Sequence, residues 1–456
     1  MKLKRLLIVI VLVCCAGVAW KARHRVRQYF AQQEEVQARN DLVVEFQEDV
    51  ADRSAPALRL NDTDWPWWRG RHHDNHVRGS SIPLTWGETE NVRWKTAIPG
   101  RGHSSPCVVG NRIFLTTADD DEKTQNVLCI AADTGKIVWD RQVHHGTFIY
   151  ANEKNSHASS TTATDGHSVF AVFASDNSIW LSALSLNGEV LWQKDLGPYA
   201  SKEGFGASPL IVDNFVIVAA DSIERSWMAA VHRSSGDIAW RIARGPGTSY
   251  ASPILLEQNG ETQILLAGLN AIRTYRPRDG SLVWETAGPD LTASTPVVGD
   301  GMVFVTGCTA DSGIFGVNLQ KTPPEIAWTR SLKVEVPSPL YQNGHVYLVQ
   351  DLGILLCYDG RTGDRRWRRR LHGNVSASPV FVNDMLLIAR EEGQVMLIAS
   401  GEENRLIAQN SIDDQIYATP VINGDRLLIR GLHHLYCIGT ADGHSIPPES
   451  ATELSQ

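Results

Sequence analysis

The chain has 456 residues, of which 43% are hydrophobic, and its formal net charge is −8. This composition is that of a globular protein and excludes a disordered chain, collagen and a polytopic membrane protein. Residues 1–27 hold seven basic side chains and no acid, so the remainder has 36 basic and 51 acidic side chains and a net charge of −15. A body this acidic is a poor partner for nucleic acid, because phosphates need a basic surface.

Residues 1–25 combine a basic start, MKLKR, with the unbroken apolar run LLIVIVLVCCAGVAW. Because dense positive charge follows the run, the pattern favours an uncleaved signal anchor helix. Two alternatives stay open: a signal peptide cleaved near Gly17-Val18-Ala19, and a lipoprotein modified on Cys14 or Cys15. All three export the rest of the chain. We therefore expect the body in the periplasm, anchored to the inner membrane, or secreted if the signal is cleaved.

Residues 26–61 have a helix-forming composition that fades toward their end, which predicts a partly helical spacer between membrane and body. The alternative is a helix that binds a partner. At the other end of the chain, residues 446–456 are predicted to be a flexible tail.

The body, residues 62–445, repeats one phrase of four short β-type runs separated by turns rich in Gly, Asn and Asp. Each phrase opens with Pro preceded by Ser or Thr, at Pro106, Pro209, Pro253, Pro296, Pro339, Pro379 and Pro420, and Thr161 is assigned to the same place in an eighth phrase. The phrases close on Trp, at Trp94, Trp139, Trp192, Trp240, Trp284, Trp328 and Trp367, with Ile407 in the remaining position. We interpret these Trp residues as structural, since a large flat side chain fills the widening space between outer strands.

Four-stranded repeats at this spacing predict an all-β fold, a β-propeller with antiparallel blades. The last phrase stops after its third strand, and one unmatched closing, around Trp94, precedes the first opening. The N-terminal strand around Trp94 should therefore complete the last blade, which makes eight blades in one monomeric ring.

The phrases ASPVFVNDMLLIA, LLCYDGRTGDRRW and VLCIAADTGKIVW resemble the pyrroloquinoline-quinone-like (PQQ-like) β-propeller repeat family over residues 90–440. One branch of that family is the quinoprotein dehydrogenases. A resemblance to this branch implies an active site with two adjacent cysteines over the quinone, a Trp beneath it, and Glu, Asn and Asp around Ca²⁺. Here the one adjacent cysteine pair is Cys14-Cys15, inside the exported anchor. The other branch is BamB, the propeller subunit of the outer-membrane β-barrel assembly machine.

The resemblance to BamB implies a non-catalytic, membrane-anchored extracytoplasmic scaffold that binds envelope proteins, and we expect no enzyme activity and no cofactor. The alternative is a binder of a small molecule or carbohydrate at the channel mouth, or a degenerate quinoprotein dehydrogenase with PQQ and calcium.

Two groups of residues are candidates for binding. The residues of the first group each precede the first strand of a blade, so they should lie near one mouth of the central channel. There, aromatic and His side chains either form a ligand pocket or merely plug the channel. The members of this group are His103, His157, Phe205, Tyr250, Glu335 and Tyr417. The second group, Trp67, Trp68 and Arg69 in DWPWWRG, either forms an exposed partner-binding patch or packs on the propeller as a clasp.

A basic run, Arg365–Arg370, falls on a predicted outer strand. Charge there discourages pairing between strand edges. The alternative interpretation is a contact with an acidic partner or with lipid.

Overall fold

The computed structural model describes residues 46–77, 79–223, 225–245, 247–309 and 311–440. Within them the chain forms eight sheets, each with four antiparallel strands and one with a fifth, parallel strand, which confirms the predicted all-β propeller with eight blades. The predicted anchor helix and tail lie outside the described residues. None of the helices inside those ranges has the length and apolarity that a membrane crossing requires.

Each blade has four strands from the channel outward, in chain order in blades 1 to 7, whereas the outermost strand of blade 8 comes from the start of the propeller sequence. Blades 1 to 4 comprise β3 (Cys107–Val109), β4 (Arg112–Asp119), β5 (Thr124–Ala131) and β6 (Ile137–His145); β7 (Ala163–Thr164), β8 (Ser168–Ser175), β9 (Ser178–Ser185) and β10 (Val190–Pro198); β11 (Leu210–Val212), β12 (Phe215–Ala220), β13 (Ser226–His232) and β14 (Ile238–Gly245); and β15 (Ile254–Gln258), β16 (Glu261–Gly268), β17 (Ala271–Tyr275) and β18 (Leu282–Ala287).

Blades 5 to 8 comprise β19 (Val297–Gly299), β20 (Met302–Thr306), β21 (Ile314–Asn318) and β22 (Glu325–Arg330); β23 (Leu340–Gln342), β24 (His345–Gln350), β25 (Ile354–Asp359) and β26 (Arg365–Arg370); β27 (Val380–Val382), β28 (Met385–Ala389), β29 (Gln394–Ala399) and β30 (Leu406–Ser411), with β1 (His76–Val77) added beside β27; and β31 (Val421–Asn423), β32 (Arg426–Arg430), β33 (His434–Ile438) and β2 (Val92–Ala97).

The predicted closure of the ring is confirmed. Strand β2 pairs antiparallel with β33, and Trp94 lies opposite Cys437. The last blade thus takes its outermost strand from the other end of the propeller sequence.

Adjacent blades are locked together by the closing Trp residues. In six of them the indole Nε1 donates a hydrogen bond of 2.7–3.2 Å to a backbone carbonyl between the third and fourth strands of the next blade; they are Trp94, Trp139, Trp192, Trp240, Trp328 and Trp367. In five of those connections a glycine with positive φ lies against the ring, and a Cβ there would come within 2.4–2.8 Å of it; they are Gly135, Gly188, Gly236, Gly280 and Gly363. The Trp therefore fills the junction between two blades, and the turn Gly makes room for it.

Two blades depart from this rule, and both departures have a physical reason. Blade 5 has no glycine between β21 and β22, and Trp284 of blade 4 instead donates to the Gln258 side chain, which in turn donates to the Leu319 carbonyl. Blade 7 carries Ile407 because the next blade has no turn to receive a Trp: its strands β33 and β2 are not consecutive in the chain.

Residues 46–91, which we name the strap, run over the propeller face that carries the short turns. The strap begins with α1 (Glu48–Ala51), whose Val50 and Ala51 are buried against blades 3 and 4. It then contacts all eight blades, through bonds that include Asp52 with Arg278, Ala55 with Asn214, Arg59 with Asp165, Trp65 with Val108, Trp68 with Thr295, Arg69 with Pro339, Asn75 with Pro379 and Ser80 with Gly424. Part of the predicted spacer, residues 47–60, therefore lies on the propeller surface.

The lock between blades predicts a specific glycine requirement. Gly188→Ala should lower the melting temperature more than Gly260→Ala, because both residues have positive φ but only Gly188 faces a Trp. The left-handed backbone costs about 1–2 kcal/mol in both variants, and crowding against Trp139 adds about 1–3 kcal/mol in the first. Thermal unfolding followed by circular dichroism measures the difference. Equal losses in the two variants would contradict the lock.

Candidate functional site: the central channel and its mouth

The channel is encircled by a ring of hydroxyl side chains, one from each blade: Ser105, Thr161, Ser208, Ser252, Thr295, Ser338, Ser378 and Thr419. In six of the eight steps around the ring, the hydroxyl of one member accepts the backbone N–H of its counterpart in the preceding blade, at 2.9–3.0 Å. The Ser or Thr before each opening Pro thus ties neighbouring blades together at the axis. The ring also corrects the sequence alignment of blade 2, because Thr161 occupies the Ser position and not the Pro position.

The ring lines a cavity of about 580 Å³. The strap closes its far end: the Trp68 indole donates to the Thr295 hydroxyl at 2.9 Å, and Arg69 donates to the backbone carbonyls of Thr295 and Pro339 at 3.1 and 2.7 Å. Burial lowers the pKa of Arg69 to about 10. The cavity is therefore a cup that opens on the face opposite the strap, which we name the mouth face.

The structure brings four of the six predicted mouth residues together in the cavity wall: His103, Tyr250, Glu335 and Tyr417. The His103 ring stacks on Tyr417, with ring centroids 4.7 Å apart. The other two lie beside the cavity. Phe205 is buried edge-on against Tyr199, and the His157 ring packs on Phe148.

The second predicted group lies at the closed end of the cup. Trp67 is buried in the core of blades 2 and 3 and stacks on His73. Arg69 is only 1% exposed, and Trp68 is half-buried. These residues pack as a clasp on the propeller, so the aromatic side chains of this segment offer little surface to a partner.

A long connection between blades 1 and 2, residues 146–162, lies at the mouth, and we name it the lid. Lys154 of the lid reaches across to blade 7, where its ammonium contacts both carboxylate oxygens of Glu391 at 2.9 and 3.0 Å. Burial opposes the charge on Lys154, but the Glu391 carboxylate outweighs burial and raises the pKa of Lys154. On the opposite side, Asn152 of the lid donates to Glu203 at 2.8 Å.

Burial shifts the pKa values of two titratable side chains in the cavity wall, His103 and Asp351. At blades 8 and 1, burial together with the charges of Arg430 and Arg101 lowers the pKa of His103 to about 3, so this ring is neutral at ordinary pH. On the opposite wall, burial raises the pKa of Asp351, whose carboxylate accepts the backbone N–H groups of Glu335 and Val336 at 2.8 and 3.1 Å.

Two buried polar atoms of the wall have no hydrogen-bond partner among the described residues, His103 Nε2 and Ser105 Oγ. They belong to residues two apart in sequence at the entrance to blade 1, and we name the two atoms together the unsatisfied spot. Buried groups of this kind are rare without a water or ligand.

Several wall residues were not predicted from the sequence, among them Asn152, Lys154, Glu203, Cys308 and Asp351. They come from the lid and from connections between other strands, and the repeat pattern carries no signal for these positions. Among them, Cys308 is a poor nucleophile, since burial raises its pKa to about 12.

Comparison with known proteins gives a consistent result. A family model described as outer membrane protein assembly factor BamB matches residues 84–198, 123–310 and 270–453. The outer membrane protein assembly factor BamB of Yersinia pestis is 23% identical over 369 residues, covering 74% of this chain and 85% of that protein.

Two solved structures share the fold. The crystal structure of BamB from Moraxella catarrhalis has a TM-score of 0.56 at 15% identity and covers 76% of this chain and 99% of that one. The quinohemoprotein alcohol dehydrogenase from Comamonas testosteroni has a TM-score of 0.63 at 12% identity and covers 90% of this chain and 85% of that one. At these identities the likeness concerns the fold alone.

The wall residues do not fit a quinone with Ca²⁺. The cysteines of the described propeller are free and separate in sequence: Cys107, Cys129, Cys308, Cys357 and Cys437. Within the described ranges no group of three or more His, Cys, Asp or Glu side chains could hold a metal ion.

The low pKa of His103 predicts a loss of stability in acid. The unfolded chain binds a proton at this side chain near the ordinary His pKa of about 6.5, whereas the folded chain does so only near 3. Stability should therefore fall as pH drops below about 6.5, by at most about 1.4 kcal/mol per pH unit from this group. In His103→Phe, which keeps a ring against Tyr417, the melting temperature should depend less on pH between about 7 and 5. Identical pH profiles for the two proteins would contradict a buried neutral His103.

Proposed function

We propose a function on the premise that this chain belongs to the family of the outer membrane protein assembly factor BamB. The chain acts as a non-catalytic, extracytoplasmic scaffold that binds envelope proteins, held at the membrane by residues 1–25. The observation that carries this proposal is the family match, which extends over all eight blades of the closed ring.

The structure favours the mouth face as the surface that partners bind. The strap runs across the opposite face and contacts every blade there. On the mouth face, by contrast, Leu352 is 71% exposed and Tyr150 of the lid is 68% exposed, the two largest exposures among the large hydrophobic side chains of the described residues. Val336 at the cavity edge and Ile223 of blade 3 add further apolar surface there. Exposed apolar residues on a rigid frame are typical of protein-binding surfaces.

Photo-crosslinking in the intact envelope tests this assignment. A photoreactive amino acid at Leu352 or Tyr150 should crosslink to one or a few defined envelope proteins. The matched control is Leu191, which is 51% exposed but lies on the outer strand of blade 2, far from the mouth. We expect no defined crosslink from Leu191. With the photoreactive amino acid at Val336, Leu352→Lys combined with Tyr150→Lys should abolish the partner bands. Bands from Leu191 alone would move the surface to the rim, and no band from any position would overturn the scaffold function.

A second candidate function is favoured by the unsatisfied spot in the channel. The ring of hydroxyls and the rings of Tyr250 and Tyr417 suit a neutral, polyhydroxylated ligand such as a carbohydrate, because sugars combine hydroxyls with apolar ring faces. His103 Nε2 and Ser105 Oγ would gain partners from its hydroxyls.

Thermal shift with mono- and oligosaccharides, and separately with PQQ plus Ca²⁺, distinguishes these ligands. A channel ligand should raise the melting temperature by mass action. His103→Ala combined with Tyr250→Ala should abolish that rise and leave the crosslinks from Leu352 unchanged. A rise with PQQ plus Ca²⁺, accompanied by dye reduction with alcohols or sugars, would instead favour the quinoprotein alternative and contradict the scaffold.

A further inference from the structure

The outermost strand of blade 6, β26, has the sequence RRWRRR, with five arginines in six residues. None of the other seven outermost strands contains more than two Lys or Arg. We name Arg365–Arg370 the arginine strand. It stands out further because the chain beyond residue 27 has a net charge of −15.

Two of the five guanidinium groups bond to a carboxylate or an amide of the propeller, and that of Arg365 bonds to the uncharged Tyr358 side chain. Arg366 donates to the Asp359 carboxylate at 2.6 Å, and Arg369 donates to the Asn404 side-chain oxygen of blade 7 at 2.8 Å. Arg369 lies on the same side of the strand as Trp367, which donates to the Gly401 carbonyl of blade 7. Arg369 therefore serves the junction with blade 7, whereas Arg366 pairs within blade 6.

The remaining three arginines are exposed: Arg365, Arg368 and Arg370. Arg368 and Arg370 lie opposite Leu356 and Ile354 of β25, so they project from the other side of the strand, toward blade 5. Within the part of the chain that the structure describes, no carboxylate lies within ion-pair distance of these three guanidinium groups. The edge of blade 6 thus carries positive charge that the propeller does not neutralise.

The five arginines are not needed to prevent the outermost strand from pairing with strands of other molecules. The outermost strands of blades 4 and 7 are Leu282–Ala287 and Leu406–Ser411, and neither contains a Lys or Arg. Several like charges at neighbouring positions repel one another, which disfavours the folded state unless an anion binds. Guanidinium groups present paired N–H donors that match carboxylates.

We propose that the arginine strand binds an acidic segment of a protein partner, whose carboxylates pair with Arg365, Arg368 and Arg370. This inference rests on the proposed scaffold function and adds the chemistry of the partner. The strand is six residues, or about 20 Å, long, which matches a short extended segment.

An anionic membrane fits the arginine strand less well. Acidic side chains flank the strand on both sides, with exposed Glu325 on the outermost strand of blade 5 and exposed Glu402 and Glu403 in the adjoining turn of blade 7. A broad anionic surface would meet these carboxylates together with the arginines. A narrow chain segment can follow the arginines alone.

The test uses the full chain and a fluorescein-labelled deca-glutamate peptide. The wild-type protein should bind the peptide, and binding should weaken as salt is raised, because exposed charges are screened over about 8 Å at physiological ionic strength. The charge-reversal variant R365E/R368E/R370E should bind at least about tenfold more weakly. R365K/R368K/R370K keeps the charge but loses the paired donors, so it should fall between the two.

The matched control is K136E/K202E/K321E, which makes the same change in net charge at exposed positions away from blade 6. It should retain the wild-type affinity and melting temperature. Equal affinity in both charge-reversal variants would overturn the inference. So would loss of binding to phosphatidylglycerol vesicles in R365E/R368E/R370E with no change toward the peptide, because the ligand would then be lipid.

The crosslinking experiment separates this inference from the scaffold function. If the partner bands from Leu352 persist while the arginine variants bind deca-glutamate like the wild type, the inference fails and the scaffold stands. If no position yields a band, the scaffold function fails whatever the peptide shows.

Discussion

Pairing between β2 and β33 closes the ring, and the other interfaces of the propeller depend on that closure. A blade cannot bury both faces of its sheet alone, so each face packs on a neighbour. In an open ring, blades 1 and 8 would each leave one apolar face in water. With β2 in place, Trp94 extends the lock between blades to the turn of blade 1, through its bond to the Ala132 carbonyl. The hydroxyl ring at the axis and the Trp locks near the rim then hold five of the eight junctions at both ends.

The repeat made most of this architecture predictable from the sequence. Eight openings and eight closings gave the number of blades, and the unmatched closing at Trp94 gave the ring closure. The repeat also shows that Ser and Gly recur at fixed positions, but it does not show why. Their roles depend on contacts between neighbouring blades. Only the structure shows that the Ser hydroxyl accepts a hydrogen bond from the blade before it, or that the turn Gly faces a Trp from another blade.

The site was less predictable, because its residues come from segments outside the repeat. His103 and Tyr417 could be found from their place before a first strand. Lys154 and Glu391, which are 237 residues apart, meet across the mouth with no local signal. The course of the strap was equally hidden, since its contacts are made by single residues at irregular spacing. As a result, the strap crosses one face of the propeller and not the mouth face, which is a difference between the faces that the repeat pattern does not reveal.

The closure also sets an order of events for the growing chain. Arg93 and Thr440, which hydrogen-bond beside the closing strand pair, are 347 residues apart. Contacts between such distant residues form late, because the chain must lose the entropy of a very long loop before they contribute. Strand β2 emerges from the ribosome first among the blade strands but reaches its partner last. Until then it is an unpaired strand, and unpaired strands of this kind can pair with other chains. The ring can therefore close only after the chain has been synthesised through Ile438, the end of β33.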